Sequence, residues 1–67
     1  MKIMLNNRPE EFTQSELTVS QLLIEKNMTF RMRIVKINGI LIEKDKYDLS
    51  TITDGDDVQV IYLMSGG

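Results

Sequence analysis

The chain opens with a short alternation. Met1, Ile3 and Leu5 are apolar and share one parity around Lys2, which predicts a strand over residues 1–5. Asn6-Asn7-Arg8-Pro9 is a cluster of turn formers and should end it. Glu10 to Gln14 is polar apart from Phe12, so it is expected as an edge strand paired with the first and anchored by Phe12. The period then changes. Thr18-Val19-Ser20-Gln21 has the form of a capping box, with Leu17 placed to staple against Leu22. Val19, Leu22, Leu23 and the aliphatic stem of Lys26 fall on one helical face, and Asn27 is the expected stop.

Beyond the helix, Arg31 to Ile37 is rich in β-branched and long side chains and reads as the first arm of a hairpin. Asn38-Gly39 is a strong signal for a tight turn, because both residues tolerate positive φ. Ile40 to Glu43 returns. Lys44 to Asp48 is charged and is expected as a helical turn holding Tyr47. Asp54-Gly55-Asp56 marks another turn, followed by a last strand from Asp57 to Leu63. That strand is apolar on both parities, which predicts a central place in the sheet. Val58, Val60 and Tyr62 are expected to face the core. Ile61 and Leu63 then face outward, with Met4 of the first strand at the same outward parity and expected beside Ile61. The fold class expected is α+β, a mixed sheet of four to five strands with one helix packed across it. Residues 1–63 would form the domain and residues 64–67 a flexible tail.

Size and composition narrow the chemistry. A 67-residue domain buries only about 60% of the surface of its unfolded chain, leaving little material to wall a deep cleft. There is no His and no Cys. The commonest general base near neutral pH is therefore missing, and so are the usual ligands of zinc and iron–sulfur sites. Net charge is −2, without the basic surplus that nucleic-acid binding usually leaves. The apolar start is too short for a signal peptide or a membrane span. A soluble, cytoplasmic, cysteine-free protein with no bound cofactor or metal, monomeric when free, is the expectation. Arg31, Arg33 and Lys36, and the turn acids Asp54, Asp56 and Asp57, read first as solvated surface and second as steering charges. Tyr47 and Tyr62 read as core residues with the hydroxyl at the rim.

With in-domain chemistry largely excluded, the chain end stands out. Two terminal glycines arise by chance in roughly 0.5% of chains at average glycine usage. Without Cβ atoms, Gly66 and Gly67 can enter a narrow channel in another protein, with Ser65 before them, and the Gly67 carboxyl carbon is open to attack once activated. Ile61, Leu63, Met64 and Met4 are the candidate docking residues beside that tail.

Taken in order, several segments together resemble the ThiS family of ubiquitin-like sulfur carriers. They are Leu5-Asn6-Asn7, Thr18-Val19-Ser20-Gln21-Leu22-Leu23, Ile37-Asn38-Gly39, Ile40-Leu41-Ile42, Asp54-Gly55-Asp56 and Met64-Ser65-Gly66-Gly67. The resemblance implies a β-grasp fold and a carrier rather than an enzyme. An E1-like adenylyltransferase (ThiF) would activate the Gly67 carboxylate with ATP. Sulfur from a persulfide donor, such as a cysteine desulfurase, would replace AMP, as a free thiocarboxylate or an acyl-disulfide. Thiazole synthase (ThiG) would then take the sulfur into the thiazole ring of thiamine. Two alternatives share the tail: a MoaD-like carrier for molybdopterin synthesis, and a ubiquitin-like modifier. MoaD chains are typically longer and often carry proline before the tail, where this chain has Leu63-Met64-Ser65. One departure is the lack of a glycine between Asn27 and Arg33.

Overall fold

A computed structural model describes residues 1–63. The strands are β1 (Lys2–Leu5), β2 (Arg8–Glu11), β3 (Glu16–Thr18), β4 (Arg33–Ile37), β5 (Ile40–Ile42), β6 (Thr51–Thr53) and β7 (Asp57–Tyr62), with helix α1 (Val19–Glu25) between β3 and β4. A 3-10 turn spans Lys44–Lys46. Five strands form one mixed sheet in the order β2-β1-β7-β4-β5. β7 is central, parallel to β1 and antiparallel to β4. This is the β-grasp arrangement expected, with α1 laid on one sheet face. Val19, Leu22 and Leu23 of the helix share a buried cluster with Ile3, Leu5, Val35, Val58 and Val60 of the sheet.

The local devices at the helix ends are those the residues dictate. The Thr18 side chain accepts from the Gln21 amide at 3.1 Å and the Gln21 side chain accepts from the Thr18 amide at 2.9 Å, closing the capping box. A cap of this kind contributes about 1 kcal/mol. The missing glycine is replaced by Asn27, which takes φ 56°. Its amide bonds to the Ile24 carbonyl at 3.1 Å and the Met28 amide to the Leu23 carbonyl at 2.7 Å. Those two bonds make a Schellman ending, with asparagine in the left-handed position that glycine more often fills. Asn38 and Gly39 likewise take positive φ between β4 and β5.

Three expectations are corrected and one element pair is added, four points in all. First, the returning arm of the opening hairpin is Arg8–Glu11, not Glu10–Gln14. Asn6 and Asn7 take φ 51° and 65°, so they form the whole two-residue turn by themselves. Pro9 sits inside the strand without penalty. The Phe12 amide bonds to the Met1 carbonyl, so by antiparallel alternation the Met4–Pro9 pair is a non-bonded one. Phe12 does pack against the core. Second, β3 and β6 form a separate two-stranded sheet, which burial of Leu17 and Ile52 holds against the main core. Third, β4 begins at Arg33 rather than Arg31, because Arg31 and Met32 form a bend. Fourth, Tyr62 is 41% exposed although it shares the parity of Val58 and Val60. It instead meets Phe30 edge-to-face, with ring centroids 4.5 Å apart. Tyr47 is buried as expected.

The turn acids also have structural tasks. Asp54 accepts from the Lys2 amide at 2.7 Å, and Asp56 from the Thr53 amide at 2.9 Å and the Asn38 side chain at 3.1 Å. They fasten the start of β7 to β1 and to the Asn38-Gly39 turn.

Candidate functional site

The sequence points to the end of β7, and the register there shows what surrounds it. Ile61 lies opposite Ile34. The Leu63 amide bonds to the Met32 carbonyl at 2.8 Å, carrying the ladder one pair past the strand. Because Val35 and Val60 are buried under the helix, their neighbours turn the other way. Met32, Ile34, Ile61 and Leu63 therefore form an apolar quartet on the outer sheet face. Ile34 is half-buried, while Ile61 is 40%, Leu63 45% and Met32 56% exposed. Four exposed or half-exposed apolar side chains in one block are a patch rather than scattered residues. On the helix side of the same strand end, the Phe30–Tyr62 pair adds two exposed rings.

Arg33 braces this end. Its guanidinium lies 5.4 Å from the Tyr47 ring centroid and donates to the Phe30 carbonyl. A cation over an aromatic face and a bond into the bend together hold Phe30 and Met32 near β7. Arg33 is thus a brace rather than a solvated charge.

The predicted site residues divide. Ile61 and Leu63 are together on the outer face. Met4 is exposed and has their parity, but it is not beside Ile61: it lies opposite Asp57, four residues earlier on β7, about 13 Å along the strand. The Gln59–Lys36 pair stands between them. Met64, Ser65, Gly66 and Gly67 lie outside the described residues. Phe30, Met32 and Ile34 were missed. The alternation of Met32 and Ile34 was visible in the sequence, but the face it occupies depends on pairing with β7.

Two depressions lie elsewhere. A volume of about 500 Å³ opens between Gln14, Glu16, Leu17, Gln21, Ile24 and Glu25. Its polar groups are amides and the carboxylates of Glu16 and Glu25, with Gln14 donating to Glu25 at 3.1 Å. A second, of about 330 Å³, lies beside Asn6, Arg8 and Met28, where Lys26 and Glu10 form an ion pair at 2.6 Å.

The model of the ThiS family matches residues 3–67. The fold resembles the crystal structure of a thiamine biosynthesis protein (ThiS) from Geobacter metallireducens, with a TM-score of 0.90 and 30% identity over 100% of both chains. It also resembles the solution structure of a thiamine biosynthesis protein from the same organism, with a TM-score of 0.76 and 30% identity, covering 100% of this chain and 88% of the other. No curated protein sequence matches the chain.

Proposed function

The chain belongs to the ThiS family, and from that premise we propose that it is a sulfur carrier of thiamine biosynthesis, with the sulfur held on the carboxyl carbon of Gly67. It is a protein co-substrate, not an enzyme, and holds no resident cofactor. A ThiF-type adenylyltransferase joins the Gly67 carboxylate to the AMP part of ATP, releasing pyrophosphate. The terminal sulfur of a persulfide donor then attacks the acyl carbon and AMP leaves. A thiol supplies two electrons to cleave the resulting sulfur–sulfur bond, which leaves a thiocarboxylate for a ThiG-type thiazole synthase. The setting is the cytoplasm.

The observation that carries this reading is the family match, which runs to Gly67. The quartet around the end of β7 supports it, because it offers an apolar platform next to the residues that carry the acyl group.

The test is intact mass after incubation with a ThiF-type enzyme, ATP and a persulfide source. The expected product carries one sulfur in place of one oxygen at Gly67. An unchanged mass overturns the proposal. The platform has its own test. Ile61→Asp places a charge in the quartet outside the buried cluster, so the fold should be retained with stability lowered by about 1 kcal/mol from the lost pairing with Ile34. We expect kcat/KM for adenylation to fall roughly tenfold or more, as for a central interface residue. Met4→Asp, at the far end of the outer face, should have a much smaller effect.

A further inference from the structure

β7 loses one of its two neighbours before it ends. Along this strand the odd-numbered residues bond to β4, as the Asp57 carbonyl does to the Asn38 amide and the Leu63 amide to the Met32 carbonyl. The even-numbered residues therefore turn their N–H and C=O groups toward β1. The Asp56 carbonyl accepts from the Met4 amide at 3.0 Å and the Val58 carbonyl from the Asn6 amide at 2.9 Å. At Asn6 the backbone of β1 turns away. The Asn6 side chain supplies one more rung: its Oδ1 accepts from the Val60 amide at 2.8 Å and its Nδ2 donates to the Val60 carbonyl at 3.2 Å. The next rung is Tyr62. Among the described residues nothing bonds to its N–H or C=O on that side.

We propose that this open rung at Tyr62 pairs with an extended segment of the activating enzyme, adding a strand to the sheet beside β7 in the place β1 has vacated. The inference rests on the carrier reading and concerns how its partner grips the chain. An unpaired stretch of edge is a ready template for strand addition. This one lies between Ile61 and Leu63, whose side chains face outward, and it carries the Tyr62–Phe30 ring pair on the inner side. A strand laid there would run between two apolar contacts. It would also end beside Leu63, the last described residue.

The edge favours an enzyme over a second copy of this chain. Two copies joined through one rung each would exchange two hydrogen bonds, far short of the roughly 1,200 Å² that a stable interface buries. An enzyme that already holds the quartet and the Gly67 carboxyl fixes Tyr62 from both sides. Pairing then costs little further ordering.

The experiment is residue-resolved amide hydrogen exchange, alone and with a ThiF-type adenylyltransferase, alongside ATP–pyrophosphate exchange as the measure of Gly67 activation. In the free chain the Tyr62 amide should exchange much faster than the Leu63 amide. In the complex its exchange should slow by about tenfold or more. At 67 residues the chain is within reach of chemical synthesis, so the Tyr62 amide nitrogen can be replaced by an ester oxygen. This removes a donor that has no partner among the described residues. The ester also weakens the Ile61 carbonyl as an acceptor toward β4, so melting should fall slightly, by the worth of one weakened ladder bond, and KM for the folded chain should rise about threefold to tenfold, the worth of one hydrogen bond. Activation of Gly67 with the Tyr62 amide still exchanging freely overturns the edge alone. No activation of the unmodified chain overturns the carrier reading and this partner with it. Protection that grows with chain concentration in the absence of enzyme overturns the choice of partner in favour of self-pairing.

Discussion

A chain lacking Gly66 and Gly67 should fold as the full chain does and accept no sulfur at all. The fold half of this expectation follows from where the core lies. The buried apolar residues run from Ile3 to Val60, and the last described backbone bond is that of the Leu63 amide to the Met32 carbonyl. Removing two residues beyond these should change unfolding free energy by no more than about 0.5 kcal/mol, the range for changes away from packed or bonded groups. The chemical half follows from the proposed reaction. The truncated chain ends at Ser65, so its carboxyl is two residues short of the adenylating centre and carries a side chain beside the acyl carbon. Positioning errors of even 1 Å cost about a hundredfold in such reactions. Intact mass after incubation with the adenylyltransferase, ATP and persulfide reads the result. Sulfur on the truncated chain would remove Gly67 as the carrier position.

Leu22→Ala should bring the domain close to unfolding. Leu22 is fully buried at the middle of the helix face that covers the sheet. Truncating a buried leucine costs about 2–5 kcal/mol, from lost transfer energy and the cavity left behind. A domain of this length has only about 3–10 kcal/mol in total. The loss is therefore a large share of the whole, and a urea melt should show a much lower midpoint with a substantial unfolded fraction in buffer. Ile24→Ala, two residues on and 72% exposed, should change stability by no more than about 0.5 kcal/mol. Equal effects at the two positions would mean that α1 does not pack on the sheet through the face described.

The same pair of residues shows what was legible beforehand. Helix period alone separates Leu22 from Ile24, because side chains at i, i+3 and i+4 share a face whatever they pack against. The Thr18–Gln21 box, the Asn38-Gly39 turn and the central, two-sided apolar strand at Asp57 were legible for the same reason: each depends on a few neighbouring residues. Asn27 as the helix stop belongs here too, although its full Schellman ending became visible only with the bonds to Ile24 and Leu23.

Of the candidate site, the residues of the last strand and the glycines after it could be read directly from the chain. Their surroundings could not, because those depend on register between segments far apart in sequence. A parity assigns Met4 and Ile61 to one face, but only the alignment of β1 with β7 puts Met4 opposite Asp57 and away from Ile61. Met32 and Ile34 join the site only because β4 pairs antiparallel with β7. The short β3–β6 sheet has too few residues to show a period, and burial of Leu17 and Ile52 decides it. The open rung at Tyr62 exists because Asn6 turns β1 away one step before β7 ends. By itself, then, the sequence determined the capped helix and its buried face, the Asn38-Gly39 turn, the central last strand and the two glycines that follow it, all set by local sterics and periodicity. Tertiary structure alone decided which outward faces meet and which strand edge stays unpaired, because cross-strand register is settled by packing the whole sheet at once.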